Sequence, residues 1–240
     1  MNRFRARFSN KHTVLPVIHV ENQAQALDNA EIAVEAGADG VWLVNHEIPY
    51  QTMLEIYSEL RKQLPSLWVG LNCLDSGPAW IAEAPSVAGA WLDSAYILED
   101  RVEQPLASLF QHTMRVEIPW DGIYFGGVAF KGQRKVRPEN YGEAARRAMP
   151  FMDVVTTSGP GTGYAADVGK IKAMKDAIGD FPLAIASGIT PENVHQYMPH
   201  ADCFLVASGI SIDFSNLSLP KTRKLIERVR EGVSPLVNPA

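Results

Sequence analysis

The chain has 240 residues, of which 46% are hydrophobic and 20% are charged, a composition typical of a folded globular protein and not of a disordered or fibrous one. With 22 Lys and Arg residues against 27 Asp and Glu residues, the net charge is −5 at pH 7. No basic block stands out in the sequence, which argues against a nucleic-acid partner.

Eight short apolar runs alternate along the chain with segments of helical periodicity. This alternation is typical of parallel strands joined by crossover helices. The predicted strands are Val14–Val20, Gly40–Asn45, Leu67–Asn72, Ala88–Asp93, Gly122–Phe130, Met152–Thr157, Pro182–Ser187 and Asp202–Ala207. The predicted helices are Ala24–Ala36, Thr52–Leu64, Pro78–Ala84, Pro105–His112, Glu139–Ala148, Asp167–Ile178, Glu192–Met198 and Leu219–Arg230.

The two ends of the chain stand outside this alternation. Residues 1–12 are rich in Arg and are expected to form an N-terminal arm on the surface or in a subunit contact, and residues 233–240 to form a frayed C-terminal tail. No stretch approaches the roughly 20 apolar residues of a membrane-spanning helix. Cys73 and Cys203 lie in or beside predicted strands far apart in the chain, which favours reduced, buried thiols and a cytoplasmic location.

The position of the glycine-rich joints favours a closed sheet. An open, doubly wound sheet is the alternative, but its nucleotide fingerprint follows the first strand, where this chain has His19-Val20-Glu21-Asn22-Gln23 without glycine. The glycines here follow the last three strands, which is where barrels commonly hold phosphate. We therefore predict an α/β fold, a single (β/α)8 TIM barrel over residues 1–240.

Three successive predicted strands end in small hydroxyl residues and glycine. Glycine lets the backbone approach a ligand closely, and Ser and Thr add hydroxyl donors, so loops of this kind can surround phosphate oxygens. The loops after the seventh and eighth strands are the preferred phosphate holders, and Ser158–Gly163 is the flank that shapes the rest of the ligand. The predicted phosphate-binding residues are Gly159, Gly161, Ser187, Gly188, Ser208 and Gly209.

The same three segments carry a resemblance to a known family. They read Ser158-Gly159-Pro160-Gly161-Thr162-Gly163, Ala186-Ser187-Gly188-Ile189-Thr190-Pro191-Glu192-Asn193-Val194 and Ala207-Ser208-Gly209. In this order they resemble the BtpA family of ribulose-phosphate-binding-type barrels. The resemblance implies a barrel that is either an enzyme or a factor in photosystem I biogenesis. The chain departs from the family pattern at Val44-Asn45-His46 and at Pro160, where substrate would be recognised, so the resemblance carries no substrate with it.

Polar residues at the carboxyl ends of barrel strands point into the active-site mouth. His19 titrates near neutrality and suits general acid–base catalysis, although a hydrogen-bonded strand-end histidine is equally expected. Asp93 could abstract a proton or cap a helix, and Lys131 could neutralise a phosphate or an enolate-like charge, or form a Schiff base. These three are the predicted catalytic residues. The predicted substrate-binding residues are Asn45, His46, Asn72, Thr157 and Ser158.

Three other acidic residues precede or begin strands and are assigned to the opposite, stabilising face of the barrel. They are Asp39, Asp153 and Asp202. The chain has no helical His-x-x-x-His pair and no dense carboxylate cluster, so we predict neither a metal nor another cofactor.

These residues lead to three functional hypotheses. The first is a cytoplasmic enzyme that acts on a small phosphorylated metabolite, of the sugar phosphate or ribosyl phosphate type, by isomerase or lyase chemistry. The second is a non-catalytic assembly or regulatory protein that keeps a residual anion pocket. The third is an aldolase with a Schiff base on Lys131. The expected partner is a small phosphorylated molecule, and self-association into a homo-oligomer is common for barrels of this size.

Overall fold

Eight parallel strands form a closed barrel in the computed structural model, which describes residues 2–232. The strands pair in chain order, and the eighth pairs with the first to close the sheet. The predicted (β/α)8 TIM barrel is thus confirmed, with all eight strands near their predicted positions. The strands are β1 (Thr13–Val20), β2 (Val41–Asn45), β3 (Val69–Asn72), β4 (Gly89–Leu92), β5 (Ile123–Gly127), β6 (Val154–Ser158), β7 (Leu183–Ala186) and β8 (Cys203–Val206).

Helices cover the outside of the barrel, and several begin with the expected capping contacts. Asn22 accepts a hydrogen bond from the backbone N–H of Gln25, and Asp167 accepts one from that of Lys170. The segment predicted as a helix at Pro78–Ala84 is a short 3-10 helix, Pro78–Ala82. The α-helices are α1 (Arg3–Arg7), α2 (Gln23–Ala36), α3 (Tyr50–Gln63), α4 (Pro105–His112), α5 (Tyr141–Ala148), α6 (Val168–Ile178), α7 (Val194–Tyr197) and α8 (Leu219–Glu231). Within the described residues, no helix has both the length and the apolar character needed to cross a bilayer.

Large aromatic side chains fill the interior of the barrel. Trp42 is fully buried and meets Trp68 and Phe125 edge to face, with ring centroids 5.1 and 4.9 Å apart. Small residues on the neighbouring strands make room for these rings. A Cβ on Gly70 would lie 2.3 Å from the Trp42 ring, and one on Gly89 would lie 2.4 Å from the Trp68 ring. The barrel is therefore a packed core in which glycine and tryptophan are matched in volume.

The N-terminal segment closes the bottom of the barrel, where the strands begin. Phe4 of α1 is fully buried and packs on Phe125, and Phe8 packs on Trp68. The side chain of Asn2 caps the helix by accepting a hydrogen bond from the backbone N–H of Phe4. Residues 2–8 therefore form a plug, which corrects the expectation of a surface arm. The alternation of Phe with Arg hid this role because a five-residue helix buries only one face.

Three aspartates connect neighbouring strands where the strands begin, at this same end of the barrel. The sequence analysis assigned them to this stabilising face. Each accepts a hydrogen bond from a backbone N–H of the preceding strand and forms an ion pair with a cationic side chain. This arrangement satisfies an N–H that would otherwise lack a partner at the bottom of the sheet. The sets are Asp39 with Val14 and Arg230, Asp153 with Tyr124 and Arg115, and Asp202 with Leu183 and Lys175.

Replacing Asp153 should lower the stability of the barrel more than replacing an exposed carboxylate nearby. Asp153 accepts from the Tyr124 N–H at 2.8 Å and from Arg115 at 2.6 Å, so Asp153→Ala removes the acceptor of this N–H and the ion pair with Arg115. We expect a loss of about 2 kcal/mol in the free energy of unfolding, measured by denaturant titration. Asp121→Ala is the control because that side chain is 96% exposed, and its loss should stay under about 0.5 kcal/mol. Equal losses of unfolding free energy in the two variants would contradict a stabilising role for Asp153.

Both cysteines are buried and unpaired, which confirms the prediction of reduced thiols. Burial raises the pKa of the Cys73 thiol and that of the Cys203 thiol, because the charged thiolate is poorly solvated inside the protein. Neither thiol is therefore a reactive nucleophile at neutral pH.

Candidate active site

A cavity of about 410 Å3 opens at the carboxyl ends of the strands. Its polar wall includes His19, Asp93 and Lys131, which follow or end β1, β4 and β5, together with His46 and Asn72. Apolar side chains and a loop segment complete its lining: Val17, Val44, Leu74, Trp91, Phe214, Gly132 and the run Pro160-Gly161-Thr162. Five of the side chains proposed for catalysis or substrate binding therefore share one cavity, on the face where barrel enzymes carry out their chemistry.

Two histidines in this cavity share a hydrogen bond. His19 Nδ1 and His46 Nε2 lie 2.8 Å apart, so one of the two nitrogens carries the hydrogen and the other accepts it. Burial, followed by the charges of His46 and Lys131, lowers the pKa of His19 to about 4. At neutral pH His19 is therefore an uncharged imidazole. The ring of Phe214 stacks on it, with centroids 4.3 Å apart and planes inclined by 14°.

The depressed pKa of His19 predicts a pH-dependent contribution to stability. Between about pH 4 and pH 6.5 the unfolded chain protonates this histidine and the folded protein does not, so the free energy of unfolding falls as the pH falls. Replacing His19 with glutamine should remove about 2 kcal/mol of the stability lost between pH 7 and pH 4. Urea titrations at both pH values measure this difference. His195→Gln, at an exposed position, should leave the pH dependence unchanged, and a parallel change in both variants would refute the assignment.

Burial shifts the pKa values of Asp93 and Lys131 toward each other. Burial raises the pKa of Asp93, while a hydrogen bond from Asn72 Nδ2 at 3.0 Å and the charge of Lys131 act in the opposite direction. Burial likewise lowers the pKa of Lys131, which the charge of Asp93 partly offsets. Both groups are thus brought closer to neutral pH. A carboxyl and an amine with converging pKa values are suited to proton transfer.

The structure places Asn45 away from the cavity. Its side chain is buried and donates to the carbonyl oxygen of Ile48 at 2.9 Å and to Asp75 at 2.6 Å, and it accepts from the backbone N–H of Leu74 at 2.8 Å. These contacts tie the loop after β2 to the loop after β3. The interpretation of Asn45 as a substrate-binding residue is corrected accordingly, because its amide is already fully engaged.

Thr157 and Ser158 are buried beneath the loops and do not line the cavity. The hydroxyl of Thr157 donates to the carbonyl oxygen of Ala129 at 3.4 Å. The hydroxyl of Ser158 accepts from the backbone N–H of Lys131 at 2.8 Å. Both residues therefore connect β6 to the end of β5 and position Lys131, whose Nζ donates to the hydroxyl of Thr162 at 3.1 Å.

The three glycine loops come together, but they contact one another closely. A Cβ on Gly188 would lie 2.3 Å from the backbone nitrogen of Ala165, and one on Gly209 would lie 1.9 Å from the carbonyl oxygen of Ile189. A Cβ on Gly159 would lie 2.1 Å from the carbonyl oxygen of Tyr164. The β6–α6 loop thus covers the loop after β7. Gly159, Ser187, Gly188, Ser208 and Gly209 lie outside the cavity lining, and Gly161 belongs to it.

Ser187 differs from its neighbours in two respects. Its φ is 118°, a backbone conformation that side-chain-bearing residues rarely adopt, and its hydroxyl is buried with no hydrogen-bond partner within the described residues. Strain together with an unpaired polar group is more frequent at functional sites than elsewhere.

Lys170 is a half-buried cation beside the site that the sequence did not single out. Its Nζ donates to the carbonyl oxygens of Ala129 at 2.6 Å and Ser158 at 2.8 Å, and it lies 5.3 Å from the ring centroid of Tyr141. Burial lowers its pKa to about 8. Lys170 joins the ends of β5 and β6, the two elements that orient Lys131. Its only sequence signal is its place in the first turn of a helix that begins at the catalytic face.

The described residues contain no cluster of three or more His, Cys, Asp or Glu side chains arranged to hold a metal ion. His19 and His46 lie side by side, but their ring nitrogens are hydrogen-bonded to each other.

Comparison of the sequence with known proteins gives a partial match. No family model matches the chain. An uncharacterized protein from Thermococcus kodakarensis is 34% identical over 82 residues, which are 33% of this chain, and the match spans only 31% of that relative's length.

Solved structures match over nearly the whole chain. A structure of generated monomers of the dimeric phosphoribosylanthranilate isomerase from Thermotoga maritima has a TM-score of 0.65 at 17% identity, over 92% of this chain and 99% of its own. The (S)-3-O-geranylgeranylglyceryl phosphate synthase from Thermoplasma acidophilum, in complex with sn-glycerol-1-phosphate, has a TM-score of 0.67 at 14% identity, over 95% and 97% of the two chains. At these identities the likeness establishes the barrel fold alone.

Proposed function

We propose that this protein is an enzyme that acts on a small phosphorylated metabolite, of the sugar phosphate or ribosyl phosphate type, by acid–base chemistry of the isomerase or lyase kind. The observation that carries the proposal is the convergence of His19, Asp93 and Lys131, from three different strand ends, on one cavity at the catalytic face of a barrel. The opposed pKa shifts of Asp93 and Lys131 add the electrostatic argument.

The acid–base half of the cavity consists of Asp93 and the histidine pair. In the proposed reaction the Asp93 carboxylate removes a proton from a carbon next to a carbonyl group. When His46 Nε2–H donates to His19 Nδ1, His19 keeps its hydrogen on Nε2 and can donate it to the oxygen on which negative charge develops. A neutral imidazole can act as this donor, because an N–H hydrogen bond to the developing oxyanion stabilises its charge without the ring having to be protonated.

The other half of the cavity is suited to an anion. Lys131 and the hydroxyl of Thr162 are hydrogen-bonded to each other, and Gly161 brings unshielded backbone to the same wall. We place the phosphate there, because Gly188 and Gly209 lie against backbone atoms of neighbouring loops. A ligand would reach the buried Ser187 hydroxyl only after the β6–α6 loop moved. Fixing a remote phosphate positions the reacting carbon against Asp93.

The structural relatives support a phosphorylated substrate. One is named as an isomerase of a phosphoribosyl compound, and another was solved with sn-glycerol-1-phosphate bound. The resemblance to the BtpA family points to the same group of barrels and stays a prediction.

Isothermal titration with ribose 5-phosphate, glycerol 3-phosphate and inorganic phosphate tests the proposal. We expect binding that Lys131→Met weakens at least tenfold, because the variant removes the only charge assigned to the anion. Ser208→Asp serves as the matched comparison. It should have a small effect if the phosphate lies beside Lys131 and a large one if the phosphate lies on the β7 and β8 loops. If none of the three compounds binds, the proposal is wrong.

The closed packing of the glycine loops favours a second candidate, an assembly or regulatory protein with a residual anion pocket. In such a protein the contact between Gly188 and Ala165 would be permanent. The triple variant His19→Gln, Asp93→Asn, Lys131→Met discriminates between the two. If the folded triple variant restores cellular function to a deletion strain, the non-catalytic role is favoured, and if it fails, the enzyme is favoured.

A further inference from the structure

Phe214 presents an open aromatic face at the mouth of the cavity. Its side chain lines the cavity and is 58% exposed, although one face of the ring is covered by His19. His46 also meets the ring, with centroids 5.2 Å apart and planes inclined by 63°, and from the exposure that remains we take the face away from His19 to be open. Leu74, 43% exposed, adds apolar surface on the same cavity.

The loop that carries Phe214 is held firmly against the barrel. The carbonyl oxygen of Ser215 accepts from the side chains of Gln25 at 2.6 Å and Asn29 at 3.1 Å, and Asp213 accepts from the backbone N–H of Ser215 at 3.0 Å. An exposed phenylalanine usually lies on a surface where its position is of little consequence. Here the neighbouring backbone is fixed on both sides, so the ring is held in place for a ligand without further ordering cost.

We infer that Phe214 is a specificity-determining residue and that the substrate carries an aromatic or heteroaromatic ring, which stacks on the open face of Phe214 while its anionic group lies beside Lys131. This inference rests on the proposed function and adds a second chemical element to the ligand. The cavity is suited to such a molecule because its lining combines apolar side chains, among them Leu74 and Trp91, with the polar groups of the acid–base half. Offset or edge-on contacts between aromatic rings favour a planar ring over a saturated ring of similar size.

Competitive calorimetry with phenyl phosphate, cyclohexyl phosphate and inorganic phosphate tests the inference. The two organic probes match in charge and approximate size and differ in aromaticity. We expect the protein to bind phenyl phosphate about fivefold more tightly than cyclohexyl phosphate. Phe214→Leu should abolish this preference, and Phe214→Tyr should keep it. Ile212→Ala is the matched control, since Ile212 is 72% exposed on the same loop and does not line the cavity.

The outcomes separate this inference from the proposed function. If the two organic probes bind equally, or if Phe214→Leu weakens the binding of both equally, the stacking role of Phe214 is wrong. This holds even where inorganic phosphate competes with them. If phenyl phosphate is preferred in a way that depends on Phe214 but inorganic phosphate does not compete, the stacking role of Phe214 is supported. The proposal of a phosphorylated substrate is then wrong. Binding of none of the probes overturns both.

Discussion

In the proposed reaction, replacing Asp93 with asparagine should reduce the rate of proton abstraction about a thousandfold. The carboxylate is the only acidic group on the cavity lining, and asparagine keeps its shape and its contact with Asn72 while removing the basic oxygen. The measurement is the exchange of a substrate C–H for deuterium in D2O, followed by proton NMR, with the phosphorylated compound that binds in calorimetry. Exchange reports the removal of a proton directly and does not require the product to be known.

A matched control is available on a neighbouring loop. Asp75 accepts hydrogen bonds from Asn45 and from the backbone of Tyr50, and it does not line the cavity. Asp75→Asn should leave the exchange rate within a factor of about three. If Asp93→Asn retains more than a tenth of the rate, the base lies elsewhere and the assignment of Asp93 is wrong.

The pH profile of the same reaction follows from the two opposed shifts. The rate should fall on the acid side as the Asp93 carboxylate is protonated, at a pH above the ordinary value of 3.8 because its pKa is raised. It should fall on the alkaline side as Lys131 loses its charge, below the ordinary value of 10.5 because its pKa is lowered. The result is a bell narrower than unperturbed groups would give.

The fold could be predicted because strands of a parallel barrel are buried on both faces and read as short apolar runs. The same runs located the strand ends, which brought His19, Asp93 and Lys131 into one set. The geometry of the barrel then determines that these ends meet at one mouth. Side-chain contacts were not needed for that step.

Side-chain direction explains why Asn45 was misassigned. Successive residues of a strand point to opposite sides, so residues two apart share a side. Val44 and His46 line the cavity, and Asn45 between them points away from it. The pairs Val17 with His19 and Trp91 with Asp93 obey the same alternation. Applied to the sequence, this rule would have selected His46 over Asn45 at β2.

The glycine loops show a different limit of the sequence. A glycine is required wherever backbone must approach closely, whether the approaching group is a phosphate or another loop. The sequence around Gly188 is the same in the two cases, and only the three-dimensional structure shows Ala165 in contact with it. Lys170 was missed for a related reason, since a lysine in the first turn of a helix is ordinarily exposed to solvent.

Substitutions in the barrel core should have a large effect on the free energy of unfolding. Gly70→Ala should destabilise the protein by about 3 kcal/mol, because the new methyl group would lie 2.3 Å from the ring of Trp42, which is fully buried and cannot move aside. Trp42→Phe removes the outer ring atoms that the methyl group would meet, and alone it should cost about 2 kcal/mol by leaving a cavity. Denaturant unfolding gives both values.

The double variant decides whether these two residues are matched in volume. Because the alanine methyl group occupies space vacated by the indole, Gly70→Ala with Trp42→Phe should be less destabilising than the sum of the single variants by about 2 kcal/mol. Gly77→Ala is the control, since a Cβ there has open space around it and should change stability little and additively. Additive losses for Gly70 and Trp42 would show that the backbone around Gly70 moves to make room for the methyl group. The two residues would then not be matched in volume, and the barrel interior would be less rigid than its close packing indicates.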